Sequence, residues 1–366
     1  MRFKHESDRM SRTRRLPVVR WLGIGLFSLS ACAPTKTPLP TRLEQSLLAG
    51  ELRQEIRNIA GSVVGINTYV RYKVHQYHYL QKNGKLQRDP NSPVGYRLDV
   101  TQGDGGVFTT KDEKNLSGGG LIIHFDPSRD RYVVLTSSHL VSPRDTTDVY
   151  YLDERGRPTD VVFTRYVISR KEVTLRAPGN WQAKADLLFG DSANDLAILV
   201  AESENKMGDV FPNPVGYGLD LSWGDWVFLF GYPKGIKQLS GGWVSPAPYH
   251  NALTVDAVVR FGFSGGPVFA VLPGRSQLAF VGLIKSVPST TLEYVAPDGT
   301  LPSGYPLTAE DIEQLYVKTQ VLVEYGTAYF VRPKIIRAFF NRARAALEYA
   351  GIQLDPKYYG TLAESP

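Results

Sequence analysis

From about Ser62 onward, short apolar and β-branched runs alternate with clusters of Gly, Pro, Asn and Asp. Runs of this length punctuated by turn residues predict strands joined by tight connections, hence an all-β protein. Two stretches depart from the pattern. Leu43, Leu47, Leu48, Leu52, Ile56 and Ile59 recur at helical spacing up to Gly61, and Ile335, Ile336, Phe339, Phe340, Ala343, Ala346 and Leu347 do so between Pro333 and Gly351. A proline that opens and a glycine that closes the second stripe match the two ends of a helix. The first stripe predicts a helix leading into the strand-rich body, and a one-sided stripe commonly faces its own core. No internal repeat of solenoid length is present.

The first 31 residues read differently. An arginine-rich start precedes the apolar stretch Trp21–Ala31, too short to span a bilayer and of the length of a signal peptide. Leu29-Ser30-Ala31-Cys32 follows, and Cys32 is the single cysteine of the chain. This run resembles a bacterial lipobox, which implies cleavage before Cys32, lipid on its thiol, and a body tethered to a membrane. An ordinary secretory signal with an incidental cysteine is the plainer alternative. Ala33–Thr41, rich in Pro and Thr, reads as the tether. The formal charge of +6 over 366 residues shrinks once this leader is set apart: it holds seven Lys and Arg against Asp and Glu numbering two, a net of +5, which leaves +1 for the body. A nucleic-acid partner therefore loses its main support and is not expected. With 42% hydrophobic residues the body can bury a full core without disulfide or metal.

Three short runs carry the chemistry. Gly262-Phe263-Ser264-Gly265-Gly266-Pro267 places a serine between glycines, where a tight loop can project the hydroxyl while the amides of Gly262 and Ser264 face one hollow. An ordinary β-turn is the bland reading of such a run. Val133–Val141 is an apolar strand ending in Thr136-Ser137-Ser138-His139, and Asn194-Asp195 stands just before the apolar run Leu196–Val200. Alone, His139 is as readily a packed histidine and Asp195 a turn residue. Together, in the order His, Asp, Ser, they form a candidate nucleophile, base and orienting acid.

These runs resemble the signatures of the chymotrypsin-like serine peptidases, and in particular of the bacterial HtrA-type branch with its Thr-x-x-His, Asn-Asp-Leu-Ala and Gly-x-Ser-Gly-Gly-Pro motifs. Ser62–Ile66, Ser117–Ile123, Gly231-Tyr232-Pro233-Lys234-Gly235, Val255–Ala257 and Val281–Ile284 also resemble strands and loops of that branch. The resemblance implies two antiparallel six-stranded β-barrels with a C-terminal helix. The expected organisation is a leader over 1–31, tether and helix over 32–57, a first barrel over 58–200, a connecting segment over 201–220, a second barrel over 221–332, and a helix and tail over 333–366. The peptide-binding PDZ domain that often follows in the family is expected to be absent. Subunit contacts through the N-terminal segment, and so an oligomer, are a further implication.

By the same resemblance His139, Asp195 and Ser264 are a catalytic triad, Gly262 and Ser264 supply the oxyanion hole, and no metal or organic cofactor is needed. Ile284, Lys285 and Ser286 offer a strand edge to an extended polypeptide substrate. Val258 and Val259 fall where the family has the floor of the primary pocket, which disfavours a basic side chain there and suits small to medium apolar ones. The implied activity is that of a serine endopeptidase of the cell envelope; a protease-like scaffold that binds peptides or partners without turnover is the alternative. Phe263 keeps that alternative open. The family usually has Asp or Asn directly before the serine, and an apolar ring cannot form the ion pair that orders this loop in the digestive enzymes. Arg260-Phe261 likewise replace a more usual Asn-Pro.

Three stretches exceed a minimal double barrel: Arg71–Leu116, Arg144–Lys184 and Val287–Tyr316. Tyr72, His75, Tyr77, His78 and Tyr79 in the first suit an aromatic surface hairpin better than a metal site, because residues three apart on a strand face opposite sides. The third, rich in Pro, Gly and Thr, reads as a long loop beside or over the cleft.

Overall fold

The all-β expectation holds, with two closed barrels following each other along the chain. The computed structural model describes residues 42–82, 85–152, 157–247, 250–272, 277–297, 308 and 315–360; the leader, Cys32 and the tether lie outside them. Helix α1 (Arg42–Ala60) leads into β1 (Val63–Tyr77), a small hairpin of β2 (Gln81–Lys82) and β3 (Lys85–Leu86), then β4 (Val107–Asp126) and β5 (Arg131–Thr136). A single turn, α2 (Ser138–Val141), is followed by β6 (Thr146–Leu152), β7 (Pro158–Arg176), β8 (Gln182–Asp191) and β9 (Leu196–Glu202). The order β1-β4-β5-β9-β8-β7 closes through a β1–β7 pairing, and β6 extends the sheet beyond β7.

The second barrel contains β10 (Trp226–Gly231), β11 (Gln238–Pro246), β12 (Ala252–Asp256), β13 (Pro267–Val271) and β14 (Leu278–Ser286). It closes through β17 (Thr327–Val331) in the order β10-β11-β12-β17-β14-β13. Between β14 and β17, the strands β15 (Ser289–Pro297) and β16 (Leu315–Val323) pair as a separate antiparallel ribbon. The stretch read as a long loop is thus in part a ribbon. Its Thr-Thr-Leu-Glu-Tyr-Val text is β-prone on both faces, and the Pro- and Gly-rich residues that suggested a loop fall mostly between its strands.

The apolar runs without a polar face are explained by where their alternate side chains go. On β5 and β9, Tyr132, Val134, Ala197 and Leu199 fill the first barrel, while Val133, Leu135, Leu196 and Ile198 join a core outside it. On β13 and β14, Val268, Ala270, Ala279 and Val281 fill the second barrel, and Phe269, Leu278 and Phe280 enter that same outer core. Helix α3 (Pro333–Tyr349) completes it with Ile336, Phe339, Phe340, Ala343 and Leu347, the stripe legible in the sequence. Both faces of these strands are therefore dry, which a period-two alternation would not permit.

β1, β4 and β7 run for 15, 20 and 19 residues, well past what a barrel wall needs. Their outer halves carry small clusters of their own, including Val70, Tyr72 and Val74 packed with Tyr166 and Ile168. Tyr79 contacts the rings of Tyr77, Tyr96 and Tyr151. His75 bonds with the Thr109 hydroxyl and His78 packs edge-on against Phe108, and no group of three metal-ligating side chains gathers among the described residues.

α1 is fastened to the second barrel at several points. Glu55 accepts from the Leu278 amide and from Asn213, and the Lys237 ammonium donates to the Ala60 carbonyl at the helix end. Burial pushes the Lys237 amine down to about 8, against the pull of the Asp209 carboxylate. A lysine whose folded value lies below its unfolded one binds fewer protons when folded. Its charge therefore opposes folding at low pH, and stability rises as pH climbs from the folded toward the unfolded value. Between pH 8 and 10 the native protein should gain roughly 1–2 kcal/mol on a Lys237→Met variant. Urea unfolding of both proteins across that range measures it, and parallel curves would refute it.

Candidate active site

His139 is positioned by the end of a strand. β5 stops at Thr136, and the single turn α2 carries His139 outward on a backbone whose Thr136, Ser137 and Ser138 side chains are buried. Asp195 comes from the turn before β9 and sits at φ 59°, the left-handed region that costs a side-chain-bearing residue about 1 kcal/mol. Both its oxygens engage one residue. Oδ1 accepts from the His139 amide and Oδ2 lies 2.8 Å from Nδ1, so a carboxylate there fixes the Nδ1–H tautomer and leaves Nε2 as the basic nitrogen. The Asp195 side chain is 9% exposed and that of His139 45%, so the acid is shielded while the imidazole reaches the cleft.

A further pair, invisible in the motifs, holds that turn. Asp191 accepts from both the amide and the side chain of Asn194 and forms an ion pair with Arg342 of α3. Burial opposes ionisation of Asp191, but the Asn194 hydrogen bonds and the Arg342 charge outweigh it and hold the carboxyl below its ordinary value. The closing helix thus reaches, through Asp191, the turn that carries Asp195.

The serine loop consists of two consecutive turns. The Phe263 amide donates to the Arg260 carbonyl with Gly262 at φ 107°, and the Gly266 amide donates to the Phe263 carbonyl with Gly265 at φ 72°. Positive φ at the third position of each turn is what glycine supplies. The amides of Gly262 and Ser264 donate to no acceptor among the described residues, as the oxyanion-hole expectation requires of them. Phe263 is 2% exposed and packs in the interior of the second barrel, with its ring against Gly231.

The first barrel presses on this loop. The Gly119 amide donates to the Ser264 carbonyl (2.8 Å), and the Ser137 hydroxyl and the Gly265 amide both donate to the Ile284 carbonyl. A methyl group on Gly118 would meet the Ser264 carbonyl oxygen at 2.4 Å, and one on Gly119 would meet the Gly266 Cα at 2.9 Å. The glycine run of β4 is therefore a contact surface, and its residues are small because backbone meets backbone there.

One cleft of ≈ 850 Å³ contains His139, Asp195, Ser264, Gly262 and the edge residues Ile284, Lys285 and Ser286. Seven of the nine residues singled out in the body for catalysis, the oxyanion hole and substrate therefore line one cleft. The Ser264 hydroxyl and His139 Nε2 share this cleft without a hydrogen bond between them. Val258 and Val259 do not line it. Val258 is 64% exposed and Val259 is sealed in the barrel core, so neither forms the floor of a pocket. Adjacent residues in extended backbone point oppositely, and here the two directions are solvent and core.

Residues 119–275 match the family model of the trypsin-like peptidase domain. This segment of the chain is similar to trypsin-like peptidase domains. The chain is 27% identical over 203 residues to a probable periplasmic serine endoprotease, DegP-like, of Rhizobium meliloti, covering 47% of this chain and 39% of that protein. A protein of the same description from Brucella suis is 29% identical over 197 residues, covering 49% of this chain and 32% of the relative. The chain thus spans well under half the length of these curated relatives. Among solved structures, the HtrA-type protease AlgW with a decapeptide aligns at TM-score 0.43 and 14% identity, over 85% of this chain and 75% of that one. The matched segment contains His139, Asp195 and Ser264 and ends before β14.

The serine loop depends on the buried apolar side chain of Phe263. Phe263→Asp would bury a carboxylate without a partner, at a cost of several kcal/mol. We expect a clearly lower urea midpoint than for Phe263→Leu; equal midpoints would contradict the packing described.

Proposed function

We propose that this chain is a serine endopeptidase of the cell envelope that hydrolyses accessible segments of polypeptides through Ser264, His139 and Asp195. The observation that carries the reading is the two-point grip of Asp195 on His139 in the cleft that also holds Ser264 and the unpaired amides of its loop. In this reading Ser264 Oγ attacks the carbonyl carbon of the scissile bond while His139 Nε2 takes its proton. Asp195 keeps the ring oriented and stabilises its protonated form. The oxyanion is met by the amides of Gly262 and Ser264, each donor of this kind being worth about 3 kcal/mol of barrier. His139 then returns the proton to the leaving amine, and water, activated by the same nitrogen, cleaves the ester. Substrate lies as an extended strand along Ile284, Lys285 and Ser286.

The absent hydrogen bond between Ser264 and His139 favours a second reading, a scaffold whose loop binds peptides without turnover. Such contacts are often long in ligand-free sites and tighten with substrate, which is why the endopeptidase is preferred. A fluorophosphonate probe decides between them. The parent protein should be labelled at Ser264, Ser264→Ala and His139→Ala should not, and Asp195→Asn should react about 10³–10⁴-fold more slowly. Absence of labelling in the parent, together with intact casein at every pH tried, would transfer the assignment to the scaffold.

The envelope location includes lipid on Cys32 as its point of attachment. It is supported by the lipobox-like run and by the periplasmic description of the relatives. No helix among the described residues is long and apolar enough to cross a membrane. Expressed with its leader in a bacterium, the protein should take up an alkyne-labelled fatty acid and sediment with membranes, and Cys32→Ala should lose the label. Fatty-acid incorporation that survives this substitution would count against Cys32.

A further inference from the structure

The charged lining of the cleft is lopsided. Among the described residues that line it, Lys234, Arg260 and Lys285 are basic and Asp195 alone is acidic, and Asp195 is occupied at both oxygens by His139. None of the three cations pairs with a carboxylate among the described residues. They reach the cleft from three separate elements, each tied to the serine loop. Lys234 belongs to the turn Pro233–Gly235, whose Pro233 backbone abuts Gly262 so closely that a methyl group there would meet it at 2.5 Å. Arg260 accepts the Phe263 amide through its carbonyl and so opens the loop itself. Lys285 is the extra residue of a bulge, since Ile284 pairs with Phe330 and Ser286 with Tyr329 across β14 and β17. Bulges beside functional sites re-aim side chains, and this one stands where Lys285 lines the cleft. Lys234 holds φ 53°, strained for a residue with a side chain.

Three like charges gathered in a concave site repel one another and focus a positive potential on whatever enters. We propose that the cleft selects acidic peptide segments, with Asp or Glu side chains flanking the scissile bond neutralised by Lys234, Arg260 and Lys285. The inference rests on the endopeptidase reading for its turnover arm only. Arg260 offers a planar fork to a carboxylate, and the two lysines act as point charges that follow substrates of varied register. A basic segment is disfavoured by the same field. Peptide is favoured over other polyanions because the lysine of the bulge stands on the strand edge that an extended chain would pair with.

The test uses matched peptides in which the residues on both sides of one cleavable bond are Ala, Glu or Lys. With the parent protein at 50 mM salt, kcat/KM should be about tenfold higher for the Glu series than for Ala and lower for Lys, and the spread should shrink several-fold at 500 mM salt. Arg260→Glu should shift the preference toward the Lys series, and a Lys234→Gln, Arg260→Gln variant with an unchanged unfolding transition should flatten it. Binding of the same peptides to Ser264→Ala protein, followed by fluorescence anisotropy, needs no turnover. If that protein prefers Glu peptides while the parent fails to label with the fluorophosphonate, acidic selection stands and the endopeptidase reading falls. If the parent labels and cleaves with equal efficiency on all three series, acidic selection is wrong and the endopeptidase stands. Oligothymidylate binding to Ser264→Ala protein as tightly as the Glu peptide would also overturn it, in favour of a general polyanion site.

Discussion

Backbone meets backbone where the two barrels touch, and the arrangement of the cleft depends on that contact. The Gly119 amide bonds to the Ser264 carbonyl, and neither Gly118 nor Gly119 has room for a side chain against the serine loop. Because the contact is between main chains, the separation of β4 from the loop is set by covalent geometry and hydrogen-bond length. Thr136, whose hydroxyl donates to the Gly119 carbonyl, ties the histidine-bearing strand to the same point. A shared apolar core drawn from both barrels and closed by α3 then clamps them from outside. Buried area holds the barrels together, and the glycine seam decides where they stop.

Much of this was readable in the text, for identifiable reasons. Tight turns with positive φ demand glycine, so Gly262 and Gly265 announce the loop by residue type. The β5 and β9 strands, dry on both faces, leave continuous apolar runs, and α3 leaves a stripe at helical spacing. Other parts had no such signal. Val258 and Val259 sit next to a turn, and sequence position alone does not say whether the cleft lies on one of their two faces or beyond them. It lies beyond, at Arg260 and Phe261. Asp191 and Arg342 are distant in the chain, and each alone reads as an exposed charge. Strand β15 is exposed on both faces over most of its length, so its sequence lacks the alternation that marks a half-buried strand.

Phe263 changes the physics of the loop it belongs to. An aspartate in that place would need a cationic partner and would answer to pH and ionic strength. A ring packed against Gly231 in the barrel interior needs no partner beyond the barrel itself. The loop is therefore an outgrowth of the barrel's own core. Apolar association weakens toward low temperature, whereas an ion pair does not share that dependence. Cold should accordingly loosen this loop before it loosens the hydrogen-bonded strands around it, which makes temperature the variable to which its order is most directly exposed.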